Sequence, residues 1–448
     1  MRHSITVTKR KRSLISETSV NIYKKSNNHE SIPRPLGART LKSHPSSRRS
    51  KSSRRRRRIS KEKISSSSER EWVFSASNFR NLKGLCNAIT LDKVVLVSYN
   101  LLGVDNASNH MDLYFNVPPR HLEWSRRKHL ICKEIGGYNA SILCLQEVDR
   151  FDELDGLLKN RGFQGVHKIR TGEASDGCSI FWKEKLFKLL HHEEIEFDRF
   201  GLRNNVAQLC VLEMNCEDPK SKLCTQSSKQ TSTSSRRLVV GNIHVLFNPK
   251  RGDIKLGQVR LFLERAYKLS QEWGNIPVAI AGDLNSTPKS PIYDFVTSAD
   301  LDTQLHDRRH ISGQSELDTK ERLFRNHYAF SAAYASRINE WSQEELQLAT
   351  GGQATTHVQH QLKLNSAYTG VPGTHRTRDQ RGEPLATTYH SRFLGTVDYI
   401  WHTKELVPVR VLETLPTDVL ERTGGLPTEK WGSDHLAIAC ELGFVSER

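Results

Sequence analysis

Cysteine is thinly spread in this 448-residue chain: eight residues, none in a C-x-x-C pair, several of them inside apolar runs. Cysteine placed that way behaves as a small hydrophobe, and the pattern implies a reducing compartment. Without a closely spaced Cys or His set, zinc is disfavoured as a resident ion. No run approaches the roughly 18 apolar residues of a membrane span, and the N-terminus lacks the apolar core of a secretory signal. A soluble, intracellular protein is the expectation. Internal repeats are lacking too, leucine-rich ones included.

Acidic residues are scarce only at the start. Residues 1–70 hold 21 Lys or Arg against 4 Asp or Glu, whereas the other 378 residues carry 46 of each kind. The formal charge of +17 therefore belongs to a Ser-, Arg- and Lys-rich arm, with clusters at Lys9–Arg12 and Arg54–Arg58. Such composition reads as disordered. It suits a nuclear-import signal, an RNA-attracting arm or an organelle transit peptide, so nucleus or cytoplasm is expected, with an organelle left open. Residues 71–448 are read as one catalytic domain, folded sequence beginning in the eighties or nineties.

Within that domain, strands alternate with helices. Val94–Tyr99 is β-branched and apolar and ends at Asn100; Trp124–Tyr138 has helical apolar spacing; Ser141–Gln146 is a second buried strand that delivers Glu147. Further strands are read at Cys178–Trp182, Asn205–Glu213, Leu238–Val245 and Thr396–His402, with a last one after Asp434-His435. Helices are read at Gly257–Trp273 and Pro291–Val296. A flexible insertion is placed at 217–237 and a polar, loop-rich segment at 303–390.

The centre of the pattern is Val278–Ala281 followed by Gly282-Asp283-Leu284-Asn285-Ser286. Two residues apart in extended chain share a face, so a carboxylate and a carboxamide are presented together. The same event, an apolar strand ending in an acid, amide or imidazole, recurs and collects Asn100, Glu147, Asn242, His244, Asp283, Asn285, Asp398, Asp434 and His435. Each alone would pass for a turn residue, a surface acid or a satisfied core histidine; together they suit metal-assisted hydrolysis of a phosphate ester. Magnesium takes one or two carboxylates, keeps several waters and binds phosphate oxygen, which Glu147, Asn100 and Asp283 would satisfy. Asp283 held by Asn285 can aim a water, and His244 and His435 can donate to developing charge. Either Asp398 or Asp434 would hold His435 in its donating form.

SYN at 98–100, LQEV at 145–148, NIH at 242–244, GDLNS at 282–286, TVDYI at 396–400 and GSDHLA at 432–437, in this order, resemble the endonuclease/exonuclease/phosphatase superfamily. RRKHLICKEI, DGCSIF and TTYHSRFLGTVDYIW are similar to its carbon catabolite repressor 4 and nocturnin branch, whose best-known members shorten poly(A) tails. The resemblance implies an α/β fold, a four-layer α/β/β/α sandwich with the strand-end loops at one rim. It implies Mg²⁺, as two ions that Mn²⁺ can replace, bound at Glu147, with Asn100, Asp283, Asn285 and His435 completing the metal and phosphate site and Asp398 paired with His435. It also implies an adenine held between Phe393 and Pro249, with Asn242, Asn285 and Asp434 beside the substrate.

The expected function is a 3′-to-5′ exoribonuclease on single-stranded poly(A) that releases AMP. Docking into a multi-subunit deadenylase complex is in doubt, because the leucine-rich repeats that serve it are replaced by a basic arm. The alternatives are a nocturnin-like NADP(H) 2′-phosphatase, a cyclic-phosphate or 2′,5′-bond hydrolase, and, in another class, a non-catalytic RNA-binding protein.

Overall fold

A computed structural model describes residues 70–75, 92–215, 236–314, 341–352 and 355–445. The expectations for the arm up to residue 69, and for the insertion apart from Arg236 and Arg237, fall outside them.

Two sheets organise the described residues. The first runs, edge to edge, Trp72–Phe74, Leu406–Leu412, Ile438–Phe444, Lys93–Asn100, Ile142–Gln146, Gly177–Lys183 and Phe163–Ile169. The second runs Asn365–Ser366, Asp398–His402, Val278–Asp283, Arg237–His244, Val206–Met214 and Phe187–Glu196. Leu96, Cys144, Ile180, Leu212, Val240, Ala281, Ile400 and Cys440 form the apolar layer between them. Helices Trp124–Gly137 and Phe151–Lys159 cover the outer face of the first sheet, and Gly252–Glu272 and Pro291–Ser298 cover that of the second. The four-layer α/β/β/α arrangement is therefore present. Strands buried on both faces read as unbroken apolar runs, which is why VVLV and VAIA stand out in the sequence.

Each sheet contains one parallel pair among antiparallel neighbours: Lys93–Asn100 beside Ile142–Gln146, and Arg237–His244 beside Val278–Asp283. Parallel neighbours need a crossover, and helices Trp124–Gly137 and Gly252–Glu272 provide them. The consequence is positional. Asn100 pairs in register with Gln146, His244 with Asp283, and Asp398 with Asp283 from the antiparallel side. The chemistry-bearing residues thus finish on matching rungs at one end of the sandwich.

Three expectations change. Folded chain starts earlier than the eighties, since Trp72–Phe74 already pairs with Leu412–Arg410. Phe163–Ile169, Phe187–Glu196 and Leu406–Leu412 are strands that the reading of the sequence did not include. The first two are sheet edges rich in polar residues, and the third holds Pro408 at a register shift. The helix expected to begin at Gly257 begins at Gly252. The described part of 303–390 consists of short turns and strands with one helix, Gln343–Thr350.

Candidate active site

The site lies where the two parallel pairs end. Gly282 makes the approach possible: its φ is +155°, and a Cβ there would sit 2.1 Å from the carbonyl oxygen of Ile243. Only glycine lets the two strands close at that point, so Asp283 emerges beside His244. Glu147 and Asn285 adopt left-handed backbone, with φ of 54° and 45°. Non-glycine residues hold that conformation at a cost of about 1 to 3 kcal/mol each, sustained by the contacts they make.

Asn100 is the bridge. Its Nδ2 donates to Glu147 Oε1 and to Asp283 Oδ2, both at 3.1 Å, joining one carboxylate from each sheet. The other oxygen of Glu147 accepts from Gly103 N at 3.0 Å and Asn106 Nδ2 at 2.8 Å. Burial would raise the Glu147 carboxyl, but His244 and the hydrogen bonds from Asn106, Asn100 and Gly103 bring it down to about 2. Asp283 Oδ1 accepts the Asn285 backbone N–H at 2.8 Å, and its Oδ2 lies 3.5 Å from His244 Nε2. Asn285 Nδ2 sits 3.2 Å from His244 Nε2 and donates to Val245 O at 2.9 Å.

His435 enters from the other side. Its Nδ1 lies 2.9 Å from Asp398 Oδ2 and its Nε2 lies 3.9 Å from Asp283 Oδ2. Burial opposes its charge, but Asp398, Asp434 and Asp283 hold the imidazolium well above the usual histidine range. The choice left open between the two aspartates is therefore Asp398. Asp434 instead accepts from the Tyr114 hydroxyl at 2.9 Å. Ser433 Oγ ties this loop to the end of the Asn100 strand, donating to Asn100 O at 2.7 Å.

The donor set fits a hard divalent cation. Glu147 Oε1 and Asp283 Oδ2 share a single amide donor, and Asp398 Oδ1 is buried with no hydrogen-bond partner among the described residues. Oxygen ligands of this kind suit Mg²⁺ or Mn²⁺. Asp283, Asp398 and His435 also present donor atoms within 4.8 Å of one another. With its Nδ1 committed to Asp398, His435 is better matched to a phosphate oxygen than to a metal.

Not every expected residue reaches the cleft. Glu147, His244, Asp283, Asn285, Phe393, Asp434 and His435 line it, and Asn100 and Asp398 stand directly behind them. Asn242, expected beside the substrate, is fully buried. It donates to Leu145 O and Ser179 O and accepts from Gln146 Nε2, so its bonds clasp the second sheet to the first. Pro249, expected to face the adenine, is not part of the cleft wall; Phe247 is. Asn106, His110, Tyr114, Arg170, Thr388 and His390 also line the cleft. His110, Tyr114 and Arg170 sit in loops, Asn106 in the six-residue helix Val104–Asn109, and Thr388 and His390 in a three-residue strand, elements too short for an apolar period to mark them.

The model of the Endonuclease/Exonuclease/phosphatase family matches residues 97–435. Carbon catabolite repressor protein 4 homolog 5 of Arabidopsis thaliana is 77% identical over 461 residues, covering 99% of this chain and 97% of the relative. Homolog 3 from the same organism is 46% identical over 354 residues, covering 79% of this chain and 76% of its own. Among solved structures, ANGEL2, described as a 2′,3′-cyclic phosphatase in complex with adenosine-2′,3′-vanadate, superposes with a TM-score of 0.65 at 28% identity, covering 84% of this chain and 99% of its own. The strand-end constellation, the four layers and these likenesses agree, and the chain belongs to the Endonuclease/Exonuclease/phosphatase family, in its carbon catabolite repressor 4 branch.

Proposed function

We propose that this chain is a divalent-metal-dependent 3′-to-5′ exoribonuclease that removes adenosines from the 3′ end of single-stranded RNA, releasing AMP. The observation that carries the reading is the pair of carboxylates bridged by Asn100, Glu147 from one sheet and Asp283 from the other, faced by His244 and His435 in a cleft with Phe393 on its wall. Magnesium bound at Glu147 and Asp283 would supply Lewis-acid polarisation of the scissile phosphate.

The chain's own residues do the rest. Asp283, its Oδ1 anchored by the Asn285 N–H, accepts a hydrogen bond from the attacking water and aims its oxygen at phosphorus. The Asn285 carboxamide holds His244 beside Asp283. His435, kept protonated by Asp398, donates from Nε2 to a non-bridging phosphate oxygen as negative charge grows there. Water oxygen bonds to phosphorus, the bond to the 3′ oxygen of the upstream nucleoside breaks, and that oxygen takes up a proton. Phe393 offers a face to the base of the departing nucleotide, a contact of about 1 to 3 kcal/mol.

A second reading has its own support. The likeness to ANGEL2 favours hydrolysis of an adenosine 2′,3′-cyclic phosphate at the same centre. Three substrates separate the readings: RNA ending in about twenty adenosines, the same RNA ending in a 2′,3′-cyclic phosphate, and NADP⁺. A stepwise ladder, lost with EDTA and in Glu147→Gln, is expected. Ring opening without shortening would replace the exonuclease by the cyclic phosphatase, and phosphate release from NADP⁺ with intact RNA would replace both by a dinucleotide phosphatase.

A further inference from the structure

Two aromatic pairs, not one, stand on the walls of the catalytic cleft. His390 and Phe393 belong to the hairpin formed by Thr388–His390 and Phe393–Gly395, their ring centroids 6.2 Å apart. His110 follows the helix Val104–Asn109, and Phe247 lies three residues beyond the end of the His244 strand; their centroids are 6.4 Å apart at 36°. All four rings line the cleft whose wall also carries Glu147, Asp283 and His435.

Phe247 is 51% exposed. A single exposed phenylalanine on a surface needs no explanation. This one keeps a ring partner delivered by the other sheet's loop and is seated against the reacting centre. The walls are also braced. Ser391 N donates to Leu113 O at 3.0 Å, Ser391 Oγ donates to Asp112 O at 3.1 Å, and Arg392 pairs with Asp112 at 2.6 Å, tying the hairpin to the segment that follows His110. A braced aromatic face offers flat, sequence-tolerant contact to a base at little ordering cost.

The geometry points to a second nucleobase platform made by Phe247 and His110, so that the cleft takes the bases of both nucleosides joined by the scissile phosphodiester. The inference rests on the exonuclease reading and narrows its substrate. The preferred ligand is a single strand, or at minimum a dinucleoside phosphate, rather than a mononucleotide with a cyclic phosphate.

The test is equilibrium binding by the full chain in EDTA, which stops turnover. The probes are adenylyl-(3′→5′)-adenosine and two analogues, each with one adenosine replaced by an abasic ribose. Phe247→Ala is expected to weaken diadenosine about tenfold or more, with Phe247→Trp restoring it. That loss should vanish on one analogue, and the loss caused by Phe393→Ala on the other. The platform is overturned if wild-type chain binds diadenosine no tighter than either analogue, if Phe247→Ala changes diadenosine affinity less than twofold, or if it weakens both analogues as much as diadenosine. Hydrolysis of the twenty-adenosine RNA by wild-type chain in Mg²⁺ is scored separately. A chain that stacks both bases yet leaves that RNA intact would keep the platform and lose the exonuclease reading.

Discussion

Asp398 opens a strand of the second sheet and His435 lies in the loop before the Ile438–Phe444 strand of the first, yet their side chains meet at 2.9 Å in a buried pair. One carboxylate thereby settles which imidazole nitrogen faces the cleft and keeps the ring charged. Asp398→Asn keeps shape and volume but removes the charge that favours the imidazolium. Turnover is expected to fall about a hundred- to a thousandfold, the cost of losing one donor to transition-state charge, with the circular dichroism spectrum unchanged. A variant within threefold of wild type would remove His435 from the mechanism.

Arg127, in the RRKHLICKEI helix, is fully buried and stitches the site's scaffold. It donates to Leu101 O and Leu102 O at 2.8 Å, to Leu122 O at 3.1 Å and to Gly432 O at 3.3 Å, holding the turn after Asn100 against the loop that leads to His435. Lysine offers one ammonium and cannot reach all four carbonyls. Arg127→Lys is expected to lose about 2 to 4 kcal/mol in denaturant unfolding and to lower turnover along with it. Unfolding at the wild-type midpoint would show that the stitching contributes nothing.

Glu383 is buried, accepts from the Tyr293 hydroxyl at 2.8 Å, and is pushed by desolvation up to about 7. The folded state therefore holds this proton more tightly than the unfolded chain does. Its contribution to stability is full below about pH 4.5, declines as pH rises, and is lost above 7. The Glu383→Gln variant lacks that decline. Its melting temperature relative to wild type should rise between pH 5 and pH 8, by the equivalent of up to about 3 kcal/mol. A difference that does not change with pH would contradict a raised carboxyl.

Arg70 marks where the arm can be cut. Its guanidinium is 2% exposed and donates to Glu413 O at 2.9 Å, Tyr138 Oη at 3.2 Å and Ala437 O at 2.5 Å, two residues from His435. Deleting residues 1–65 should leave the melting temperature within a degree or two. Arg70→Ala should lower stability by about 2 to 4 kcal/mol by leaving Glu134 buried without its cation. Equal melting of the two would mean that Arg70 is dispensable. If the shortened chain binds RNA more weakly and with less salt dependence at unchanged turnover, affinity belongs to the arm.

Much of the site was legible in the chain because its residues sit at the ends of apolar strands, and strand ends in a buried sheet can be read one segment at a time. Glu147, Asp283 and His435 were visible on that ground alone. Asn242 and His244 share a strand face and both were expected at the site, one beside the substrate and the other donating to developing charge, but the sheets converge on Asn242 and leave His244 at the open end. One became a clasp and the other faces the cleft. Pro249 was the residue expected against the adenine after this strand, and only the path of the loop put Phe247 on the cleft wall in its stead.

The sequence by itself determined where buried apolar strands and the long helices lie, and which acids, amides and imidazoles stand at the strand ends. Those properties follow from local pattern and residue chemistry. Tertiary structure alone decided that Asp398 and not Asp434 holds His435, and that Asn100 joins two carboxylates 136 residues apart in the chain. It also decided that the cleft has two aromatic pairs. Each of these depends on how two independently formed sheets pack at their ends, a distance and an angle that no segment carries within itself.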